Sequence, residues 1–210
     1  ELKQNASCIF ISVYKEDYWL NRRKDQNCDW KSGNRSVMAM IYNYNSLNAK
    51  DLDFFETLPI SQSIRFAGME PVLACHGTPF ENQKALLSED LFVQKCEERY
   101  IICGHTHMQG FVSDGKKRII NAGAVGVPLK SPKKTQYMIL TSDGKDWKPE
   151  FLSLEYDVDT VIKEIHESGL WDASPYWCRI TEHLLDTGEL PHGTVLNHVM
   201  KLNDYQDPWY

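Results

Sequence analysis

The sequence of 210 residues predicts an α/β (α+β) fold, a layered sandwich of strands and helices with a helical C-terminal extension. Three observations predict it. The continuously apolar runs Val72-Leu73-Ala74-Cys75 and Tyr100-Ile101-Ile102-Cys103 have the character of strands covered on both faces. From residue 110 onward, short strands alternate with tight connections, two of them Asp-Gly. Beyond Tyr156 the apolar residues recur at helical spacing.

Taken in order, residues 8–13 (C-I-F-I-S-V) form a short β-branched apolar run and predict a buried strand. From 36 to 45, Val37, Met40, Ile41 and Tyr44 fall at i, i+3, i+4 and i+7, one face of a helix. A second helix begins at Asn48, a good N-cap, with Asp51 in its first turn and Leu47 and Leu52 placed as a hydrophobic staple; Pro59 stops it. Strands follow at 62–66 and 70–75 around a turn at Ala67 and Gly68, then a helix over 90–98 and the strand at 100–103. Strands at 111–113 and 118–121 flank Asp114-Gly115, and strands at 136–141 and 147–154 flank Asp143-Gly144. Val158, Val161, Ile162 and Ile165 make one helical face near the end, and Trp177, Ile180, Leu184 and Leu185 another. The expected organisation is a body over 1–156 and a helical extension over 157–210 packed on it.

Composition narrows the function classes. An apolar fraction of 42% and a charged fraction of 25% are those of an ordinary globular domain. A net charge of −6 argues against a broad grip on a nucleic-acid polymer, which needs many lysines and arginines to displace counterions. No apolar run approaches the roughly 20 residues that cross a bilayer, and the polar residues 1–7 are unlike a signal peptide. Cys8, Cys28, Cys75, Cys96, Cys103 and Cys178 form no C-x-x-C pair and read as free thiols, which suits a reducing cytoplasm. A homodimer is compatible with this composition.

The histidines carry the functional signal. His76 directly follows the apolar run ending at Cys75, and His105 and His107 follow the run ending at Cys103. Ligands of open α/β sheets sit beyond the carboxyl ends of the strands, so two neighbouring strands would deliver three imidazoles to one place. Imidazole suits zinc, iron and manganese-type ions. Gly77 and Gly104 are expected to supply the backbone angles of the two tight turns.

Gly104-His105-Thr106-His107 resembles the G-H-x-H signature of calcineurin-like metallophosphoesterases, preceded by that family's isolated strand-end histidine at His76. Residues 121–128, N-A-G-A-V-G-V-P, are similar to the N-P-G-S-V-G-x-P segment of its bacterial branch. The resemblance implies a layered αββα sandwich and a site for two divalent metal ions (Mn, Fe or Zn), with His76 and His105 on the second metal and His107 on the first. It also implies hydrolysis of small phosphomonoesters or phosphodiesters, nucleotides included, by a metal-activated water. The family's D-x-H and G-D-x-x-D blocks have no counterpart here, so the domain is expected to be N-terminally incomplete. The G-N-H-D/E block is best matched by residues 12–17, with Tyr14 and Lys15 where the family has its asparagine and acid histidine.

Asn121 and Gly123 are candidates to present N–H groups to a phosphate. Lys130, Lys133 and Lys134 read as a solvated charge run, and His166, His183, His192 and His198 as surface positions of the tail. Trp171, Pro175, Tyr176 and Trp177 are expected to pack that tail onto the sandwich. No residue is assigned as general acid or base. The competing function is a non-catalytic binding or scaffolding domain that kept the fold without the metal pair.

Overall fold

The computed structural model describes residues 8–25, 37–86, 91–113 and 115–191. The sequence readings at Cys28, Ser36, Asp90, Asp114, His192 and His198, and over residues 1–7, lie outside these segments.

Helix α1 (Tyr14–Lys24) opens the described chain. Its macrodipole is complemented at both ends, by Glu16 and Asp17 in the first turn and Arg22, Arg23 and Lys24 in the last. The Glu16 carboxylate also accepts the Val13 N–H at 2.9 Å, satisfying one of the donors a helix start leaves open. The predicted strand over 8–13 does not form: this stretch lies outside both sheets, joined to its neighbours by the Ser12 N–H to Pro59 carbonyl bond of 3.0 Å. An apolar run becomes a strand only when a partner strand takes its backbone groups; here Ile9 and Phe10 stay exposed, and the Phe10 ring meets Phe54 edge-on at 5.7 Å.

Helices α2 (Val37–Ser46) and α3 (Ala49–Glu56) follow. Asn48 caps α3 by accepting the Lys50 and Asp51 N–H groups, and the Asp51 carboxylate returns to the Asn48 N–H at 2.9 Å. Strands β1 (Ser61–Ile64), β2 (Val72–Cys75), β3 (Tyr100–Cys103), β4 (Gln109–Ser113) and β5 (Arg118–Ala122) build one sheet in the order β1-β2-β3-β5-β4. Its centre, β2-β3-β5, is parallel, and the edges β1 and β4 are antiparallel. The short helix α4 (Leu91–Lys95) lies on the crossover from β2 to β3. Strands β6 (Lys134–Ser142) and β7 (Trp147–Glu155) form a separate antiparallel ribbon.

The period-two alternation of the central strands creates the layers. Leu73, Cys75, Ile101, Cys103 and Ile119 face one way and pack with Val93 of α4 and Leu86. Val72, Tyr100, Ile102 and Ile120 face the other way and pack with Trp147, Met138 and Leu140 of the ribbon. Helix, sheet and ribbon are therefore stacked, a mixed α/β fold with a parallel-containing sheet. At the turn end of the ribbon, the Tyr100 hydroxyl donates to Asp146 at 2.6 Å and accepts the Trp147 N–H at 3.3 Å.

The described chain closes with α5 (Val158–Glu167), α6 (Leu170–Ala173) and α7 (Pro175–Thr187). Tyr176, Ile180 and Leu184 of α7 pack with Leu129. The α7 end is tied to the loop before β6, because the Gly188 and Leu185 carbonyls accept the Lys130 and Lys133 N–H groups at 2.6 and 2.9 Å. Lys133 pairs with Asp186 and Lys134 with Glu155, consistent with an ordinary surface charge run. His166 bonds Glu182 and stacks on Trp171 at 4.0 Å. No described helix is long and apolar enough to cross a membrane.

Candidate metal centre

Parallel pairing of β2 with β3 and of β3 with β5 aligns their carboxyl ends, so His76, the Gly104–His107 turn and Asn121 emerge side by side. The Gly104 N–H donates to the His76 carbonyl at 2.8 Å, which clips the two turns together. His76 Nε2 lies 3.4 Å from His105 Nδ1. His107 Nδ1 lies 2.9 Å from the Val127 carbonyl, an acceptor that makes this nitrogen the N–H and leaves Nε2 with its lone pair.

The unusual backbone falls on the histidines themselves. His105 and His107 have φ of 66° and 57°, the left-handed region in which a β-carbon costs energy. Gly77 and Gly104 are not among the residues with positive φ, which corrects the reading of the two turns. Gly77 is needed for space instead: a β-carbon there would lie 2.5 Å, 2.6 Å and 2.8 Å from the carbonyl oxygens of Lys84, Asn82 and Glu81.

Asn121 braces the strained turn. Its Nδ2 donates to the Gly104 carbonyl at 2.6 Å and to the Thr106 hydroxyl at 2.9 Å, and its Oδ1 accepts the Gly123 N–H at 2.9 Å. The Gly123 N–H, one of the backbone groups expected to face a phosphate, is engaged by the Asn121 side chain in this structure.

Burial sets the electrostatics. Desolvation first, then the neighbouring His105, His107 and Lys15, lowers the His76 pKa to about 4. Burial and His107 lower that of His105, and burial lowers that of His107 against the Val127 hydrogen bond. These shifts favour the neutral imidazole, the form that ligates metal. Tyr14 supplies a wall, its ring centroid 6.0 Å from His76 and 5.8 Å from His105. Lys15 lies beside the cluster with its ammonium 6.0 Å from the Trp177 ring, and burial lowers its pKa. Residues 12–17 thus reach the histidines from α1 without a strand before them.

Two nitrogens bound to one tetrahedral ion at about 2.0–2.1 Å lie about 3.3 Å apart. The 3.4 Å between His76 Nε2 and His105 Nδ1 fits such a pair of ligands. No group of three or more His, Cys, Asp and Glu side chains among the described residues gathers around one point, so His107 does not join them on the same ion. The residues present fit part of a divalent-metal site, with His107 Nε2 free for a second position.

The fold is a mixed α/β sandwich that brings imidazoles together at the ends of adjacent parallel strands. Residues 27–145 match the calcineurin-like phosphoesterase superfamily domain, and the chain belongs to that superfamily. Over 197 residues it is 25% identical to the uncharacterized protein MJ0912 of Methanocaldococcus jannaschii, covering 84% of this chain and 75% of that one. The crystal structure of the hypothetical protein PH1004 from Pyrococcus horikoshii OT3 superposes with a TM-score of 0.66 at 13% identity, covering 89% of this chain and 75% of the other. A metallophosphoesterase from Sphaerobacter thermophilus superposes with a TM-score of 0.60 at 17% identity, covering 85% and 76%. These two likenesses establish the shared fold. Members of the superfamily generally bind divalent metals.

Reading the sequence alone did not find the Val127 carbonyl, the Trp177 contact of Lys15, or the Asn82 amide that donates to Ser12 at 2.9 Å and to Asp17 at 3.2 Å. Each is a contact between residues distant in the chain. For Asp17 a local signal does exist, since Tyr14, Asp17, Asn21 and Lys24 share one stripe of α1 at steps of three and four.

Proposed function

We propose that the protein is a metal-dependent phosphoesterase acting on small phosphomonoesters or phosphodiesters. The observation that carries this reading is the 3.4 Å approach of His76 Nε2 to His105 Nδ1 at neighbouring strand ends, the spacing of two ligands on one ion. His76 and His105 would hold one divalent ion (Mn, Fe or Zn), and His107 would contribute Nε2 to a second. Bound there, divalent ions supply a water acidified toward neutrality and a clamp on the phosphoryl oxygens. The chain's own residues do the rest. Burial keeps the imidazoles unprotonated, the Val127 carbonyl fixes the His107 tautomer, and Asn121 holds the turn that aims His105 and His107. Lys15 would offer its amino group to an anionic substrate, in place of an acid histidine. The free thiols of Cys8, Cys75, Cys103 and Cys178 support a reducing, cytoplasmic setting.

Purified protein loaded with manganese is expected to hydrolyse bis(4-nitrophenyl) phosphate, and a His105→Ala variant is expected to lose that activity. Folded, metal-loaded protein without activity would refute the reading. Tyr14 and Lys15 beside the imidazoles favour the competing function, a non-catalytic binding domain. Elemental analysis separates the two, because a dead site retains no stoichiometric metal after dialysis.

A further inference from the structure

Helix α7 reaches the histidine cluster from outside the family-matched residues 27–145. It is docked on the loop that follows Val127: Leu129 packs with Tyr176, Ile180 and Leu184, and the Leu129 N–H donates to the His107 carbonyl at 2.8 Å. The end of the helix lies against the same loop, where a β-carbon at Gly188 would stand 2.7 Å from the Ser131 nitrogen and 2.9 Å from the Pro132 nitrogen. These contacts fix the helix, and with it Trp177 in the first turn.

Trp177 meets Lys15, whose Nζ lies 6.0 Å from the ring centroid. Lys15 is near enough to His76 and His107 to lower the pKa of each. Its place is unfavourable for an ammonium. It sits in the first turn of α1, where the helix dipole favours anions over cations, and burial withdraws it from water. Among the described residues it makes no hydrogen bond or ion pair. The neighbouring Glu16 carboxylate accepts the Val13 N–H instead, at 2.9 Å. The face of Trp177 is the partner that remains, and an indole attracts a cation within about 6 Å of its centroid. An ammonium held here without a counter-anion is free to take one from solution.

We propose that Trp177 is a positioning residue that holds the Lys15 ammonium beside the histidine cluster, so that the helical extension completes the site for the substrate's phosphoryl group. The proposal rests on the phosphoesterase reading and deepens it. Lys15 donates to a non-bridging phosphoryl oxygen, whereas Trp177 touches no substrate atom and acts through Lys15. A lysine carries its charge on a flexible four-carbon stem. Without the ring to hold it, the ammonium turns out toward water, where it is better solvated.

Inorganic phosphate, titrated calorimetrically into the full chain in the presence of manganese, is the probe. Lys15→Met is expected to weaken phosphate binding about 10- to 100-fold, the scale of a lost hydrogen bond to a charged group. Trp177→Ala is expected to weaken it about 3- to 30-fold, the scale of a cation–π contact. The double variant should lose no more than Lys15→Met alone, because the two side chains act as one unit. Trp177→Phe keeps a π face and should recover part of the loss, and Trp177→Leu, apolar without one, should not. Manganese affinity should not fall in any variant, since neither side chain is a metal ligand. Phosphate affinity unchanged in Trp177→Ala, losses that add in the double variant, equal recovery by Phe and Leu, or no phosphate binding by the parent overturns the assignment. A fall in manganese affinity overturns it as well, by making Trp177 a general support of the metal centre. Hydrolysis of bis(4-nitrophenyl) phosphate by the same preparation reports on the phosphoesterase reading separately. Phosphate binding that depends on both residues without hydrolysis removes that reading and keeps the pair, and hydrolysis with phosphate affinity indifferent to Trp177 removes the pair alone.

Discussion

Replacing Asn121 by alanine is expected to release the histidine turn. His105 and His107 each carry a left-handed backbone, at a cost of about 1–2 kcal/mol apiece for a residue with a β-carbon. Against this stand the three Asn121 hydrogen bonds, to Gly104, Thr106 and Gly123, each contributing about 1 kcal/mol net. The two terms are similar in size, so the side chain roughly offsets the strain it holds in place. Asn121→Ala removes all three bonds together and should lower unfolding stability by about 2–4 kcal/mol. Urea titration followed by tryptophan fluorescence measures this, with an unchanged m-value showing that the transition still reports the same unfolding. The freed turn should also hold manganese about 10- to 100-fold more weakly by calorimetry, the usual effect of losing a group that orients metal ligands. Unfolding midpoint and manganese affinity both equal to the parent's would refute the bracing role.

Three other perturbations test separate parts of the structure. Gly77→Ala drives a β-carbon into three backbone carbonyls at 2.5–2.8 Å, so the melting temperature should fall by about 5 °C or more; a melt unchanged within error would contradict the close approach. Tyr100→Phe leaves the Trp147 N–H and Asp146 without their shared hydroxyl and should cost about 1–2 kcal/mol in chemical denaturation, whereas a neutral result would mean water replaces it. The metal-free protein should show a pH effect from His76, whose folded pKa of about 4 lies below its unfolded value. The unfolded chain then binds the proton first, so the contribution of His76 to stability is complete above about pH 6.5 and is lost as pH falls toward 4. An NMR titration of the ring with a midpoint near 6.5 would disprove the burial argument.

Local signals in the chain sufficed for most of the elements. The Asn48 cap with Asp51, the apolar runs at 72–75 and 100–103, and the Asp143-Gly144 turn each act within a few residues, and each appears where the sequence places it. The run at 8–13 went the other way because strand formation depends on a partner edge that no local pattern specifies. Element ends shifted for the same reason, β4 starting at Gln109 because its ladder with β5 extends to Ala122.

The sequence by itself determined the family and the identity of three imidazoles, because G-H-x-H after a buried strand is a short-range pattern. It also placed His76 and the Gly104–His107 turn directly after their strands, while the parallel pairing that sends both the same way is tertiary. Only the tertiary structure decided that His76 Nε2 and His105 Nδ1 meet at 3.4 Å, that Val127 sets the His107 tautomer, and that Asn121 serves the turn. It alone brought Trp177 of α7 to Lys15 of α1. The physical reason is common to all of these. Hydrogen bonds and ring contacts form between groups far apart in the chain, and their geometry exists only after the sheet has aligned its strand ends.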